Sequence, residues 1–171
     1  MEIRFLTAED AEEWSRLRLE SLRGEPQAFG SSAEEHPSIP FAEIKRRVDS
    51  STEDAFVAGA FEGCRLVGMA GFVREKGLKS RHKGRIWGVY VAPEQRGRGL
   101  ARQLFARILE RARRIIGLEQ ILISVATTQT AATRLYESLG FQTFGTEPRG
   151  LKVDGRYIDE EHRILYLKPT G

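Results

Sequence analysis

Four stretches of the chain space their apolar residues as the buried face of an amphipathic helix does. The longest begins near Leu100, repeats apolar side chains up to Ile115 and ends at Gly117. Another follows Thr7, whose hydroxyl is suited to capping a helix, and extends to about Arg23. The four predicted helices cover residues 8–23, 41–48, 100–116 and 130–139.

Seven shorter stretches are rich in β-branched and aromatic residues and are bounded by turn residues, which predicts strands. They cover residues 2–6, 55–61, 65–73, 85–92, 120–126, 141–146 and 156–167. The second and third flank Glu62-Gly63-Cys64, a pattern typical of an antiparallel hairpin. The last two form a β pair around a long connection that contains glycine. This order of elements predicts an α/β fold, with mixed layers built around one sheet.

The composition indicates one globular domain, which we take to be residues 1–171. The 171 residues are 40% hydrophobic and 30% charged, which is typical of a folded chain with a single core. No apolar run approaches the roughly 20 residues that a membrane-spanning helix needs. Residues 1–6 also lack the apolar segment of a signal peptide. We therefore expect a cytoplasmic protein with no membrane partner.

The side chains that most often carry metal or nucleophilic chemistry are scattered. Cys64 is the single cysteine and lies in the predicted hairpin turn, so no internal disulfide or redox pair can form. The chain's histidines, His36, His82 and His162, have no metal-ligand spacing, and we expect no metal site. No serine lies in a G-x-S-x-G context, which argues against a nucleophilic serine.

Basic residues are concentrated in two places, within a net charge of +3. One run lies between Arg74 and Arg85, and another holds Arg96, Arg98 and Arg102. Such runs are usually solvated surface, and phosphate binding is the alternative. A nucleic-acid-binding domain is a further interpretation. Few aromatic side chains lie among these residues to stack on bases, so we expect no nucleic-acid partner.

The stretch from Val89 to Ala101 carries the most chemical information, because a strand ends, glycines follow and a long helix starts. The first amides of a helix have no partner within it, and the helix dipole favours an anion there. Gly97 and Gly99 would let a phosphate approach the backbone closely. The stretch lacks the G-K-S/T of a nucleotide P-loop and the spacing of a dinucleotide-binding G-x-G-x-x-G. It therefore predicts a phosphate-bearing ligand other than ATP or NAD.

At these residues the sequence resembles the GNAT superfamily of acyl-CoA N-acyltransferases. The Q/R-x-x-G-x-G/A signature of that family is matched by Arg96, Gly99 and Ala101. A second signature, roughly N-x-x-A-x-x-L-Y-x-x-x-G-F, is matched by Ala132, Leu135, Tyr136, Gly140 and Phe141, with Gln129 in place of the asparagine. The resemblance extends from residue 2 to about 167. It implies a single-domain GNAT-like fold, with about seven strands in a mixed central sheet, about four helices, and a splay between the fourth and fifth strands.

The resemblance implies that acetyl-CoA (coenzyme A) binds at this strand-to-helix junction. Backbone amides from about Arg96 to Ala101 would hold the pyrophosphate, and residues 89–91 would hydrogen-bond the pantetheine arm as an added strand. A β-bulge in that strand would present an amide to the thioester carbonyl. The implied cofactor-binding residues are Val89, Tyr90, Val91, Arg96, Gly97, Arg98, Gly99, Leu100, Ala101, Arg102 and Gln129.

The resemblance also bears on the proton transfers of the reaction. Tyr136 matches the family's proton donor to the departing thiolate. Many relatives carry a glutamate base on the strand equivalent to residues 85–91, which holds no acid here. We name Glu34 and Glu35, between the first two helices, as substitute candidates. The alternatives are deprotonation through water or a group on the last strand, namely Asp159, Glu160 or His162.

The predicted function is direct transfer of an acetyl group from acetyl-CoA to a primary amine of a small molecule or a protein. The alternative is a non-catalytic acyl-CoA-binding module, which the missing strand glutamate favours. The acidic candidates would suit a cationic amine, but the sequence identifies no acceptor. Members of the family are often dimers, so a homodimer stays an open expectation.

Overall fold

A computed structural model describes residues 1–167 and shows one seven-stranded sheet with four α-helices. The strands are β1 (Glu2–Phe5), β2 (Ala55–Glu62), β3 (Arg65–Arg74), β4 (Lys83–Val91), β5 (Gln120–Ala126), β6 (Gln142–Val153) and β7 (Arg156–Tyr166). The helices are α1 (Ala11–Gly24), α2 (Phe41–Val48), α3 (Leu100–Ala112) and α4 (Thr130–Ser138). Every predicted helix and strand is present in the predicted order, which confirms the α/β fold.

The strand order in the sheet is β1-β2-β3-β4-β5-β7-β6. Neighbouring strands are antiparallel, except that β4 and β5 are parallel. A parallel pair needs a crossover connection, and α3 provides it between these two strands. The mixed sheet that the family resemblance implied is therefore confirmed.

The pairing between β4 and β5 is short. It joins Lys83–Arg85 to Gln120–Leu122 and then stops. Beyond these residues the two strands separate, which confirms the expected splay between the fourth and fifth strands. The edge of β4 that faces the gap is left without strand partners from residue 86 to 91.

The register of β4 against β3 slips by one residue beside this gap. Met69 lies opposite Tyr90, but Gly71 lies opposite Trp87, so β4 contains one extra residue, as in a β-bulge. Gly88, within the bulge, has a φ of +64°, a left-handed conformation that favours glycine. The expected bulge is confirmed, and it bends β4 where the two strands part.

The helices α1 and α3 pack on opposite faces of the sheet. A Cβ at Gly68 of β3 would lie 3.3 Å from Leu104 of α3. A Cβ at Gly71 would instead collide with the ring of Trp87, at 2.3 Å. Trp87 packs edge-on against Trp14 of α1, with ring centroids 6.2 Å apart. Because side chains alternate along a strand, positions 68 and 71 point in opposite directions. We call the two sides the α1 face and the α3 face.

Two boundaries differ from the prediction by four residues or more. Helix α3 ends at Ala112 rather than near residue 116, because the chain turns before Gly117, which has a φ of +76°. Strand β6 continues to Val153 and joins β7 through a tight turn at Asp154 and Gly155, not through a long connection. The glycine and proline residues near position 148 are accommodated by a register shift within the hairpin.

Arg74, the first residue of the predicted basic run, is buried rather than solvated, with 8% of its surface exposed. Its guanidinium donates hydrogen bonds to the backbone carbonyls of Arg81 and Ile116. Arg74 therefore ties the loop between β3 and β4 to the segment after α3, and it has a structural role.

Within residues 1–167, no helix has the length and apolar character needed to cross a membrane. No group of three or more His, Cys, Asp or Glu side chains in this part of the chain is arranged to hold a metal ion. Cys64 is exposed in the turn between β2 and β3.

Packing at the short β4–β5 pairing can be tested at Gly84, which pairs with Ile121. A Cβ at Gly84 would lie 2.3 Å from the buried ring of Phe72, so we expect Gly84→Ala to destabilise the fold by about 1–3 kcal/mol through overpacking. Gly145→Ala is the matched control, because a Cβ at Gly145 would meet nothing within 4 Å. Urea denaturation measures both variants, and equal losses of stability would contradict this account.

Candidate active site

The turn between β4 and α3 presents backbone amides to solvent. Gly97 and Gly99 have φ values of +76° and +74°, which favour glycine. A Cβ at either position would meet nothing within 4 Å, so the space in front of both residues is open. Helix α3 begins at Leu100, and no side chain of the described residues caps its first turn. Its first amides are therefore available to an anion.

These amides open onto a cleft of about 370 Å³, which we call the outer cleft. Its lining includes ten of the eleven residues expected to bind the cofactor. The exception is Arg98, whose guanidinium donates a hydrogen bond to the side-chain oxygen of Gln95 at 3.0 Å. The residues that line the outer cleft are Glu25, Ala28, Phe29, Val89, Tyr90, Val91, Gln95, Arg96, Gly97, Gly99, Leu100, Ala101, Arg102, Gln129, Ala131, Ala132, Leu135 and Tyr136.

Two arginines of the outer cleft are held in place by neighbouring groups. Arg96 forms an ion pair with Glu25 at 3.0 Å and donates a hydrogen bond to the carbonyl of Val91 at 3.0 Å. Arg102 donates a hydrogen bond to the hydroxyl of Ser138 at 2.7 Å. Both arginines are exposed. Glu25 offsets the charge of Arg96, and the charge of Arg102 at the outer cleft favours an anionic ligand.

A smaller cleft of about 100 Å³, the inner cleft, continues into the gap between β4 and β5. Six residues line both clefts, so the two clefts adjoin each other. The shared residues are Ala28, Phe29, Val89, Gln129, Ala132 and Tyr136. The other residues that line the inner cleft are Ile86, Trp87, Gly88, Ile123, Ser124 and Val125.

Tyr136 lies where the two clefts meet, with 5% of its surface exposed. Its ring packs against Phe105 of α3 at 5.4 Å and against Phe141 at 6.1 Å, measured between centroids. The contact with α3 places Tyr136 on the α3 face of the sheet. Burial raises the pKa of the Tyr136 hydroxyl, so the phenol stays protonated at neutral pH.

Ser124 reaches the inner cleft from the α1 face. Leu122 of β5 pairs with Arg85 of β4, so Ser124 and Trp87, each two residues farther along its strand, point to the same face. Trp87 packs against α1. The Ser124 hydroxyl lies 2.9 Å from Nδ1 of His162 on β7.

His162 is held in turn by Glu147 of β6, whose Oε2 lies 3.1 Å from Nε2 of the histidine. A carboxylate accepts hydrogen bonds and cannot donate them. In neutral His162 the ring proton is therefore on Nε2, and Nδ1 accepts a hydrogen bond from the Ser124 hydroxyl. We call these three side chains the Ser124 relay, which runs from the inner cleft to the exposed Glu147.

The base candidates Glu34 and Glu35 line neither the outer nor the inner cleft. The Glu35 carboxylate accepts hydrogen bonds from the amide and the hydroxyl of Ser32, each at 3.1 Å. Glu34 lines another cleft, against the turn of the β6–β7 hairpin, which shares Phe29 with the outer and inner clefts. The structure therefore does not bring these two carboxylates together with Tyr136.

The candidates on β7 occupy different environments. His162 contacts Ser124, as described above. Asp159 accepts a hydrogen bond from the backbone amide of Arg149 at 2.8 Å, and Glu160 lines neither cleft. Of these three residues, His162 is the one in contact with the lining of the inner cleft.

Sequence reasoning missed the contacts that Ser124 and Glu147 make with His162, and it missed Phe29, which lines both clefts. No spacing signal joins residues 124, 147 and 162, because they meet only through the registers of β5 on β7 and of β7 on β6. The one available sign was a small polar residue, Ser124, within an otherwise apolar run of a strand.

Comparison with known proteins assigns these features to a family. Residues 11–141 match the model of the acetyltransferase (GNAT) family. The L-methionine sulfoximine/L-methionine sulfone acetyltransferase of Pseudomonas paraeruginosa is 37% identical over 82 residues, which cover 48% of this chain and 47% of that protein. The mycothiol acetyltransferase of Thermobispora bispora is 34% identical over 142 residues, which cover 80% of this chain and 44% of that protein. The chain thus spans about half the length of the curated relatives that it matches.

Solved structures share the fold. The structure of yncA from Salmonella typhimurium with its cofactor acetyl-CoA has a TM-score of 0.81 at 23% identity, and the match covers 100% of this chain and 96% of that one. The structure of smu.2055 from Streptococcus mutans UA159 has a TM-score of 0.83 at 20% identity, covering 98% of this chain and 100% of that one. With a family match over residues 11–141, the chain belongs to the acetyltransferase (GNAT) family.

Proposed function

We propose that the protein is an acetyl-CoA-dependent N-acetyltransferase that acts on a primary amine. The observation that carries this proposal is the pair of adjoining clefts, the outer one at the free amides of α3 and the inner one between β4 and β5. The outer cleft suits a charged pyrophosphate. The inner cleft has room for a small reacting group and is bordered by Tyr136 and Ser124.

The residues of the outer cleft fit acetyl-CoA. The pyrophosphate matches the free amides at the start of α3 and the positive charge of Arg96 and Arg102. The edge of β4 from residue 86 to 91 lacks a strand partner, so the pantetheine amides would find backbone groups to bond. Ala132 and Leu135 line the cleft from α4 and suit the aliphatic part of the arm.

Bound acetyl-CoA supplies an acetyl group activated as a thioester: the amine nitrogen bonds to the carbonyl carbon, the carbon–sulfur bond breaks, and coenzyme A leaves as a thiol. The bulge at Gly88 lines the inner cleft, and its backbone amides are candidates to stabilise the negative charge that develops on the carbonyl oxygen. The remaining tasks are to take protons from the amine and to provide one for the sulfur.

Tyr136 is proposed as the proton donor to the departing sulfur. An ordinary tyrosine has a pKa near 10 and a thiol a pKa near 8.5, so proton transfer from the phenol to the thiolate is unfavourable by about 2 kcal/mol. Burial raises the pKa of Tyr136 further. The neutral phenol therefore acts first as a hydrogen-bond donor to the sulfur. It gives up its proton as the thiolate leaves and regains one from solvent.

The Ser124 relay is proposed as the general base. Its hydroxyl accepts a proton from the amine while its own proton passes to Nδ1 of His162, 2.9 Å away. Glu147 accepts a hydrogen bond from Nε2 of the histidine, so the ring proton stays on Nε2 and Nδ1 can accept the proton of Ser124. This assignment replaces Glu34 and Glu35, whose positions outside both clefts support no direct contact with the amine.

The direct test of the function is thiol release from acetyl-CoA in the presence of amino acids, peptides, polyamines and aminoglycosides. Release that depends on the amine supports the proposal. Tight binding of coenzyme A without turnover of any amine would support the alternative, an acyl-CoA-binding module, which the absence of a carboxylate on β4 favours.

The site of the pyrophosphate can be tested with a charge placed at Ala101. In Ala101→Glu a carboxylate enters the lining of the outer cleft, and we expect coenzyme A to bind at least about tenfold more weakly, or about 1.4 kcal/mol. Gln103→Glu is the control, because it adds the same charge to α3 outside both clefts. Acids near a helix start favour the helix, so neither variant should lose stability. Calorimetric titration that finds equal affinities would place the pyrophosphate elsewhere.

The role of Tyr136 predicts a specific kinetic defect. In Tyr136→Phe the ring packing is kept and the donor is lost, so kcat should fall by about 10²–10⁴-fold while coenzyme A affinity is retained. Because the pKa of Tyr136 is raised, wild-type kcat should show no falling limb from this group up to about pH 10. Tyr157→Phe, at an exposed residue of the β6–β7 hairpin, serves as the control. An unchanged kcat in Tyr136→Phe would exclude this role.

The Ser124 relay predicts a defect that depends on pH. We expect His162→Gln and Ser124→Ala to lower kcat/KM by about 10²-fold or more at neutral pH. The difference in kcat/KM between wild type and these variants should become smaller toward about pH 10, where a free amine loses its proton without a general base. His82→Gln is the control, since His82 lines neither cleft. A defect that is the same at every pH would indicate a structural role for His162 instead.

A further inference from the structure

Two nitrogen donors of α1 are buried without a hydrogen-bond partner among residues 1–167, namely Nε1 of Trp14 and Nη1 of Arg18. The two residues are four apart, so their side chains lie on the same side of the helix, one turn from each other. Trp14 packs against Trp87, and the Arg18 guanidinium lies over the ring of Phe29 at 4.5 Å. Trp87 and Phe29 both line the inner cleft.

Arg18 is the more costly of the two to leave unpaired. It is 8% exposed, and burial, followed by the nearby charge of Arg47, lowers the pKa of Arg18 to about 10. The guanidinium is therefore still charged at neutral pH. Burying a charged group with an unmet donor is strongly unfavourable, and such groups in folded proteins are normally paired. An anionic ligand would supply the missing partner.

The unpaired nitrogen of Arg18 lies behind the lining of the inner cleft, close to Gly88, and Arg18 itself is not one of the lining residues. Nη1 lies 3.9 Å from the place that a Cβ at Gly88 would occupy, and Gly88 lines that cleft. Because residue 88 is glycine, no side chain stands between the guanidinium and the bulge. Arg18 projects from α1, and Ser124 points to the α1 face as well. The unpaired cation and the proposed base therefore lie on the same side of the gap.

The approach to this side of the gap is basic. A cleft of about 880 Å³, the basic cleft, shares Trp87 with the inner cleft. Five basic and three acidic side chains line it, and two of the acids, Asp54 and Glu75, each form an ion pair with an arginine, so the lining keeps an excess of cations. An excess of cations along such a cleft attracts anionic molecules. The charged residues that line it are Arg46, Arg47, Asp49, Asp54, Arg74, Glu75, Lys76 and Arg81.

We propose that Arg18 binds the carboxylate of a small free amino acid and so holds the acceptor amine beside Ser124 in the inner cleft. The proposal rests on the N-acetyltransferase function proposed above and names the acceptor class for the same site. A carboxylate presents two oxygens in the plane that a guanidinium fork matches. The indole N–H of Trp14 is the second buried donor on this side of α1.

A cation held close to the amine also assists the reaction, because like charge disfavours the protonated form of an ammonium group. The first proton leaves through Ser124 to His162 and on to solvent, and the neutral nitrogen bonds to the carbonyl carbon. The second nitrogen proton leaves by the same route as the amide forms. The carbon–sulfur bond breaks, and the sulfur receives its proton from Tyr136.

Matched acceptors test the proposal. The kcat/KM is measured for three forms of each acceptor: the amino acid, its carboxamide and the amine that decarboxylation would leave. The set covers amino acids with apolar, polar and aromatic side chains. We expect wild-type kcat/KM to favour the acid by about 10–100-fold, as for a hydrogen bond to a charged group. In Arg18→Met this preference should fall to about one, and removal of an unpaired buried charge should leave the fold stable. Arg23→Met, an exposed change on the same helix, should keep the preference.

Binding can be followed without turnover, because the only two tryptophans of the chain, Trp14 and Trp87, both lie at this site. With coenzyme A present in place of acetyl-CoA, titration with the amino acid should change the intrinsic emission of wild type and of Arg23→Met. The same titration of Arg18→Met should give no saturable change. The carboxamide is the negative control for all three proteins.

The outcomes separate this proposal from the function on which it rests. Equal kcat/KM for the acid and the carboxamide in wild type would overturn the amino-acid proposal and leave the transferase function intact. If no amine were turned over, the transferase function would fail, while a saturable emission change in wild type and Arg23→Met, but not in Arg18→Met, would still support the carboxylate site. A large loss of stability in Arg18→Met, with the preference for the acid retained, would show that Arg18 serves packing and would overturn the proposal.

Discussion

The short pairing between β4 and β5 is the constraint on which the rest of the structure depends. Backbone pairing joins Lys83–Arg85 to Gln120–Leu122 and ends there, although both strands continue for several residues. Had it continued, hydrogen bonds would have closed the sheet and removed the inner cleft. The bulge at Gly88 bends β4 at this point. The unpaired edge carries backbone groups that need partners, and a ligand laid against that edge would supply them.

The gap also brings together groups from the two faces of the sheet. Tyr136 reaches it from the α3 face, where it packs on Phe105, and Ser124 reaches it from the α1 face, beside Trp87. The proposed acid and base are therefore separated by the width of the opening. A cofactor and an acceptor can enter from opposite faces and meet there, so the proposed reaction needs no nucleophile from the protein and no covalent enzyme intermediate.

The sequence was most informative where local physics decides the structure. Apolar periodicity located every helix, and β-branched and aromatic composition located every strand. The glycines before α3 marked a turn for which we predict anion binding, and its neighbours line the outer cleft. The length of β6 was underestimated, because the glycine and proline residues near position 148 read as a loop while the hairpin accommodates them through a register shift. Contacts set by strand register were not accessible at all. Ser124 and His162 are 38 residues apart, and only the pairing of β5 with β7 makes them neighbours.

Counting charged residues along the chain is a poor basis for predicting the charge of the acceptor, because burial decides how strongly each charge acts on a ligand. The carboxylates of Glu34 and Glu35 suggested a cationic acceptor, but Glu35 satisfies the amide and hydroxyl of Ser32. Charges in contact with water are screened within about 10 Å at ordinary salt concentrations, so they weigh little on a ligand in the inner cleft. The guanidinium of Arg18 is buried and lacks a partner for Nη1 within the described chain. In that environment one unpaired cation outweighs several solvated acids, and the partner that we propose for it is a carboxylate.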